Sequence, residues 1–470
     1  MEMLMVELNR NAAEPLYEQL YTGIRNAILQ RKIAVGDKLP SKRKLADYLS
    51  ISRTTVEQAY DQLLAEGYIE ALPRQGFYAK SVEELAVEYQ RNQVPVMPAV
   101  PDRLADFSPG KVDTNSFPFS LWRKLMREVL DDSNTSLLES GHPQGDWEFR
   151  NEIAAYLYQS RGVNCTPEQI VIGSGTEQLL PLLIRLLAPS SIFAFEDPGY
   201  PLTHTVFAHY DRSAVPIPVD GEGLLVQKLH ESAANITYVT PSHQFPTGAV
   251  MSAARRTQLL KWAAGHPDRF IIEDDYDSEF RYIGRPVPSL QSMDRNGRVI
   301  YLSTFSKSLM PSLRIAYMVL PLPLLEAYRE TFLLYSSTVP RTDQQLVTLF
   351  MKKGHFQRHL NRIRTIYRHK RELLTASLTA FSPYVSVSGD QAGMHIVLTV
   401  KNGFTEQELV SRARSKGIHI TGLETFRVAG QPIGNPQILI GFGGLAEEEI
   451  VCQIEKLMAS WSIKKKTAHC

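Results

Sequence analysis

Cysteine is the first scarcity. Three occur in 470 residues, at Cys165, Cys452 and Cys470. An odd number at wide spacing excludes a disulfide framework and a cysteine-based zinc site, and suits a reducing compartment. Long apolar runs are missing too, since none approaches the roughly 18 residues of a membrane-spanning helix. The opening MEMLMVELNR carries acids and lacks the apolar core of a secretion signal. These absences predict a cytoplasmic protein. Net charge is nearly absent, +1, so any nucleic-acid-binding surface must be a local cluster. What is present is ordinary globular material, 43% hydrophobic and 21% charged. The length exceeds one ordinary core, and two or three domains are expected.

From residue 10 to 80 the apolar pattern is helical. Leu16, Leu20, Ile24 and Ile28 recur every four residues and predict one buried face. Gly36-Asp37 marks a turn, and Ser41 is placed to cap a second helix with Leu45, Ala46 and Leu49 inward. Ser52 is placed to cap a third, with Val56, Ala59, Tyr60, Leu63 and Leu64 inward and Gly67 as its stop. Two short extended pieces then flank Pro73-Arg74-Gln75. Three helices and a basic-tipped hairpin are the layout of a winged helix-turn-helix. Arg53, Thr54 and Thr55 occupy the first turn of the third helix, where such residues meet bases and phosphates in the major groove. Lys42, Arg43 and Lys44 begin the helix before it, and Arg74 and Gly76 belong to the wing. Basic residues over 10–80 exceed acidic ones only by 11 to 8, so clustering carries this reading.

Residues 81–105 lose the pattern. A helix over 82–90 is compatible with the residues, but Pro95, Pro98 and Pro101 stop any continuation and describe an extended spacer. The chain therefore divides into a reader at 10–80, a linker at 81–105 and a large domain at 106–463.

In the large domain apolar strands alternate with helices, the sign of an α/β sheet. Ile170-Val-Ile-Gly leads into a helix and exposes the amides of Gly175, Thr176 and Glu177 as an anion site. A strand from Ile192 ends in a turn that delivers the ring of Tyr200, and one from Tyr238 runs into a polar turn. The strand from Phe270 ends in Glu273, Asp274, Asp275 and Asp277, acids that repel one another unless a cation lies among them.

The stretch from Val299 to Leu320 organises the rest. Lys307 sits between two apolar runs, with Ser303, Thr304 and Ser306 before it and Arg314 after it. A lysine is costly to bury unless its pKa falls or its amine is covalently engaged, as a Schiff base requires. The hydroxyls and Arg314 suit a phosphate. Clustered carboxylates also suit a hard cation, but the histidines and spacings of a catalytic metal site are missing, and no metal is expected. Pyridoxal 5′-phosphate (PLP) needs a lysine, an acid for its ring nitrogen, donors for its phosphate and an aromatic face. Lys307, Asp274, the turn Gly175-Thr176-Glu177 with Thr304, Ser306 and Arg314, and Tyr200 offer these in order along the chain.

Two resemblances follow from particular motifs. Leu39-Pro-Ser-Lys-Arg-Lys-Leu-Ala, Ser52-Arg-Thr-Thr-Val, Leu63-Leu-Ala-Glu-Gly-Tyr and Arg74-Gln-Gly-Phe resemble the GntR-type DNA-binding domain. That resemblance implies DNA contacts from Arg43, Arg53, Thr54, Thr55 and the wing around Arg74 and Gly76. Glu196-Asp-Pro-Gly-Tyr, Pro246-Thr-Gly, Ile272-Glu-Asp-Asp-Tyr and Ser303-Thr-Phe-Ser-Lys-Ser-Leu-Met-Pro-Ser-Leu-Arg resemble fold-type I aminotransferases. Such a fold has a mixed, mostly parallel sheet and a smaller C-terminal α/β subdomain. The resemblance implies that Lys307 forms the Schiff base, Asp274 meets the pyridinium, Tyr276 donates to the ring's phenolic oxygen, Tyr200 stacks and Arg314 joins the phosphate site. The fusion is similar to the MocR (GabR-like) bacterial regulators, which implies a head-to-tail homodimer on double-stranded operator DNA.

The chain departs from that pattern in three places. Aminotransferases place Asn before Pro-Thr-Gly; here it is Phe245, with His243 or Gln244 as candidate replacements. After the strand Gln437-Ile-Leu-Ile-Gly they carry an arginine that grips the substrate carboxylate; here Gly443 and Gly444 follow, and Arg427 is the candidate substitute. GABA-responsive regulators have a second ligand arginine just after Tyr200, where this chain has Leu202. The expected function is a PLP-dependent transcriptional regulator responding to PLP and/or an amine, amino-acid or peptide-like effector, without sustained turnover. The alternative is an active aminotransferase with an accessory DNA-binding domain.

Overall fold

The computed structural model describes residues 8–10, 12, 14–80, 105–284, 287–428 and 434–465. The expected helix over 82–90 and the proline-spaced stretch through Pro101 lie outside these residues. Two compact units divide the chain, Met1–Val100 and Pro101–Cys470.

In the first unit the helices are Leu16–Leu29, Lys42–Leu49 and Arg53–Ala65. The two expected caps form, Ser41 Oγ accepting from the Lys44 amide at 3.3 Å and Ser52 Oγ from the Thr55 amide at 3.0 Å. Leu20, Ile24, Leu45, Val56, Ala59, Tyr60 and Leu63 close the core. The hairpin pairs Ile69–Leu72 with Gly76–Ala79. Its first strand starts only at Ile69, because the Tyr68 amide is still closing the helix end on the Leu63 carbonyl. Tyr60 packs edge-on against Phe77 at 5.0 Å, which ties the third helix to the wing.

The second unit is built on an eight-stranded sheet. In spatial order its strands are Ile170–Gly173, Ala316–Val319, Val299–Thr304, Phe270–Asp275, Ile236–Val239, Phe193–Asp197, Ala214–Asp220 and Gly223–Leu224. Ala316–Val319 runs antiparallel to both neighbours and Gly223–Leu224 is an antiparallel edge; the other pairings are parallel. The central strands Ile236–Val239, Phe270–Asp275 and Val299–Thr304 are buried on both faces, which explains their continuous apolar runs. A smaller antiparallel sheet, Val385–Ser388, His395–Val400, Gln437–Gly441 and Thr421–Gly422, carries the helices Glu406–Ser415 and Glu447–Ser460. The parallel strands all end at one edge, where Asp197, Val239, Asp275 and Thr304 hand over to loops. Open α/β sheets bind ligands at such an edge. Among the described residues no helix is long and apolar enough to cross a membrane.

Candidate functional site

A cavity of about 280 Å³ opens at the carboxyl edge of the sheet. It is lined by all ten residues expected to hold a cofactor: Lys307, Asp274, Tyr276, Tyr200, Gly175, Thr176, Glu177, Thr304, Ser306 and Arg314. Residues 175–314 meet there because each sits at or just beyond a strand end. Phe245, one of the departures noted in the sequence, also lines it, and Pro109, Gly110, Thr240, Pro311 and His395, not singled out from the sequence, complete the wall. His395 carries no local signal, since the second sheet brings it in.

The walls enclose the Lys307 amine, which donates to the Pro109 carbonyl at 2.8 Å. Burial pushes its pKa down to about 8, against a smaller opposing pull from Asp277. Opposite it, buried Asp274 is pushed up to about 7, chiefly by burial and further by Asp275, Asp277 and Glu273. The Tyr238 hydroxyl donates to Asp274 from the neighbouring strand. An amine poised to lose a proton and an acid short of a cation are what PLP needs at its two ends.

The acidic run does not share one cation, as repulsion along the sequence suggested. Strand alternation sends its members to different places. Glu273 caps a short helix, accepting from the amides of Leu290 at 2.7 Å and Gln291 at 2.8 Å. Asp275 is buried against Arg161 Nε at 2.7 Å and the Tyr301 hydroxyl at 2.6 Å. Burial alone would raise its pKa, but Arg161 and these hydrogen bonds outweigh it and hold it low. Asp277 lies 2.9 Å from His243 Nδ1. Of the acids on this strand and turn, only Asp274 lines the cavity.

At the other end the helix Thr176–Leu186 begins after Gly175, whose φ of +141° would strain any other residue. A Cβ there would lie 2.3 Å from Arg314 and 2.5 Å from the Glu177 carboxylate. The Thr304 hydroxyl stands 2.9 Å from that of Ser306. Arg314 pairs with Glu177. Both side chains are about half exposed, 47% and 52%, so the pair is a weak tie that an incoming phosphate can replace.

The three departures resolve differently. Phe245 lines the cavity and packs edge-on against Tyr200 at 5.9 Å and Phe426 at 5.0 Å, an apolar corner where aminotransferases present an amide. Gln244 is occupied elsewhere, donating to the carbonyls of Pro198 at 3.0 Å and Phe245 at 2.6 Å. At Gly443 a Cβ would lie 2.4 Å from the Lys111 carbonyl oxygen, and at Gly444 2.6 Å from Lys111 Cβ, so neither position admits an arginine. Arg427 lies with His204 and Thr425 in a separate cleft that shares only the Tyr200 wall with the cavity. Leu202 packs against the apolar core cluster that includes Leu183 and Phe207.

In the reader, Arg43, Arg53, Thr54 and Arg74 are exposed. The Thr55 hydroxyl is engaged by Ser52 at 2.7 Å. Lys42 is drawn inward, 3.1 Å from Glu57 and 3.0 Å from Asp61, and lies over the Phe77 ring. It braces the second helix on the third. Arg74 and Gly76 adopt left-handed backbone, φ 61° and 113°, which turns the wing tip.

Comparison with known proteins agrees with this division. Residues 16–79 match the family of bacterial regulatory proteins, gntR family, and residues 106–444 match aminotransferase class I and II. The uncharacterized HTH-type transcriptional regulator YdeL of Bacillus subtilis is 45% identical over 460 residues, 97% of this chain and 99% of that one. The probable rhizopine catabolism regulatory protein MocR of Rhizobium meliloti is 33% identical over 443 residues, 89% and 88% of the two chains. Among solved structures, a kynurenine aminotransferase of Pyrococcus horikoshii, in complex with PMP, superposes with a TM-score of 0.67 at 27% identity, covering 77% of this chain and 91% of that one. PLP is the cofactor that this fold and the cavity call for. The chain thus belongs to the MocR-type HTH transcriptional regulators, in which a gntR-type DNA-binding domain is joined to a PLP-dependent domain of the class I and II aminotransferase family.

Proposed function

We propose that this regulator senses PLP itself, or an amine, amino acid or peptide-like effector reacting at Lys307, and changes its hold on operator DNA without sustained transamination. The observation that carries this reading is the closure of Gly443 and Gly444 by Lys111, which leaves the cavity without the arginine that grips an amino-acid carboxylate. PLP supplies an aldehyde for the amine and an electron-withdrawing ring. Around it, Lys307 holds the cofactor covalently and Asp274, oriented by Tyr238, keeps the ring nitrogen protonated. Tyr200 covers the ring, Tyr276 donates to its oxygen, and the turn Gly175-Thr176-Glu177 with Thr304, Ser306 and Arg314 takes the phosphate. Arg43, Arg53, Thr54 and the wing at Arg74 and Gly76 contact DNA. A head-to-tail homodimer is supported by exposed apolar side chains in the second unit, among them Phe119, Leu130, Leu138 and Leu334. An active aminotransferase is the second reading, favoured by the retention of both Lys307 and Asp274.

The test is reconstitution with PLP followed by absorbance and operator gel shifts on one preparation, with amines, D- and L-amino acids and short peptides as additions. A visible band absent in Lys307→Ala, and an operator affinity that changes with PLP or an effector, are expected. Multiple turnovers with an amino donor and a keto acid would establish the second reading instead.

A further inference from the structure

The cavity places an apolar ring, Phe245, where an aminotransferase presents a hydrogen-bonding amide, and the neighbouring Gln244 is held by its own turn. Behind Phe245 lies a polar cluster with no role in the site so far. The His243 ring is sealed from solvent, with Nδ1 2.9 Å from Asp277 Oδ2 and 3.1 Å from the Tyr276 hydroxyl. Tyr276 lines the cavity; His243 and Asp277 stand behind it. We propose that Asp277, His243 and Tyr276 form a relay that keeps Tyr276 a hydrogen-bond donor toward the cofactor's ring oxygen, supplying by a second route the polarity that Phe245 removes.

The donor and acceptor inventory carries this. An ionised carboxylate only accepts, so Asp277 keeps the imidazole proton on Nδ1. That N–H also faces the tyrosine oxygen, so the tyrosine proton must be given elsewhere. In this structure it goes to the His243 carbonyl at 3.1 Å; the cavity is its other direction. The remaining nitrogen, Nε2, is buried without a hydrogen-bond partner among the described residues, as an unprotonated nitrogen tolerates better than an N–H. Gly393, at φ +72°, makes room for the pair: a Cβ there would lie 2.0 Å from His243 Cε1 and 2.5 Å from Asp277 Oδ2. The titratable groups around the relay come from four directions. Asp274 and Asp275 share the Tyr276 strand end, Glu196 faces Tyr276 from another strand, the His395 ring lies tilted 4.5 Å from that of His243, and Lys307 faces Asp277.

The relay rests on the reading of Tyr276 as the ring-oxygen partner, and the experiment separates the two. A donor to the ring oxygen stabilises its negative charge and lowers the pH at which the adjacent Lys307 nitrogen releases its proton, which the visible band reports. Asp277→Asn removes the anionic acceptor that keeps the imidazole proton on Nδ1; with that proton on Nε2, the Nδ1 lone pair accepts from the Tyr276 hydroxyl and draws its proton away from the cavity. The band's pH midpoint in PLP-loaded His243→Phe is expected to rise by about 1 unit, as in Tyr276→Phe, with no further rise in the double variant, and to rise less in Asp277→Asn. Loss of the Asp277 charge acting directly on Lys307 has the opposite sign and lowers the midpoint. His243→Phe retains that charge and cuts the relay, so it too should raise the midpoint, and it serves if Asp277→Asn fails to fold. A midpoint that falls or stays put in folded Asp277→Asn and His243→Phe, while Tyr276→Phe raises it, overturns the relay. No change in Tyr276→Phe overturns the assignment of Tyr276 instead.

Discussion

Lys307 donates its amine to the carbonyl of Pro109 at 2.8 Å, which joins the cofactor lysine to the segment that leaves the linker. That segment is fixed on either side: the Phe107 carbonyl accepts from the Gly441 amide at 2.7 Å, and Asp113 is held by buried Lys370 at 2.7 Å. Condensation of this amine with an aldehyde would consume the N–H that makes the bond, so capture of PLP would release the Pro109 carbonyl. With the amine at about 8 rather than at lysine's usual value, the rate of PLP capture should climb roughly tenfold per pH unit below pH 7 and level off above about pH 8. Stopped-flow absorbance measures it; a rate still climbing steeply at pH 9 contradicts the burial argument.

Asp274, Glu196 and Glu273 are buried acids each pushed up to about 7, by burial first. The folded protein holds protons that the unfolded chain releases near pH 4, so their contribution to stability is complete below about pH 4 and is lost as pH rises through 7. Calorimetry of the cofactor-free protein should show a lower Tm at pH 8 than at pH 6. Asp274→Asn should recover roughly a few degrees at pH 8 while failing to retain PLP. A lower Tm in that variant at pH 8 would mean that the carboxylate is already compensated in the folded protein.

Restoring the missing arginine should not restore an enzyme. A side chain at Gly443 meets backbone of Lys111 at 2.4 Å, which cannot yield as a flexible side chain would. Gly443→Arg is expected to cost about 1–3 kcal/mol in denaturant unfolding and to add no transamination. Gain of turnover at unchanged stability would show that the loop at Lys111 is free to move.

In the reader, Arg53 and Lys42 should separate. Arg53→Ala is expected to weaken operator binding about 5- to 150-fold, the 1–3 kcal/mol of one specific contact, and to leave the PLP band intact. Lys42→Ala removes the brace to Glu57 and Asp61 and should lower the thermal stability of the first unit more than it lowers the salt dependence of DNA binding. Gel shifts at several salt concentrations and calorimetry on the same variants test both.

Much of the site could be read along the chain because a parallel sheet ends its strands at one edge. Lys307, Asp274 and Tyr200 each stand at or just past a strand end, so order along the sequence became neighbourhood in space. The reader was legible for a different reason: Ser41 and Ser52 are local caps, and their hydrogen bonds span three residues. The acidic run misled where side chains point, since one-dimensional spacing cannot say that alternate residues face a capped helix, an arginine or a cavity.

The two-part organisation, the reader and the strand-end residues Lys307 and Asp274 were legible in the chain alone, because caps, periodicity and strand-end motifs are properties of short stretches. Packing alone makes Lys42 a brace, closes Gly443 and Gly444 with Lys111, leaves Arg427 outside the cavity, seats His395 in its wall and brings Pro109 to Lys307. Each of those facts joins residues far apart in the chain, and whether such a pair touches is settled by how sheets and helices pack, which no local pattern records.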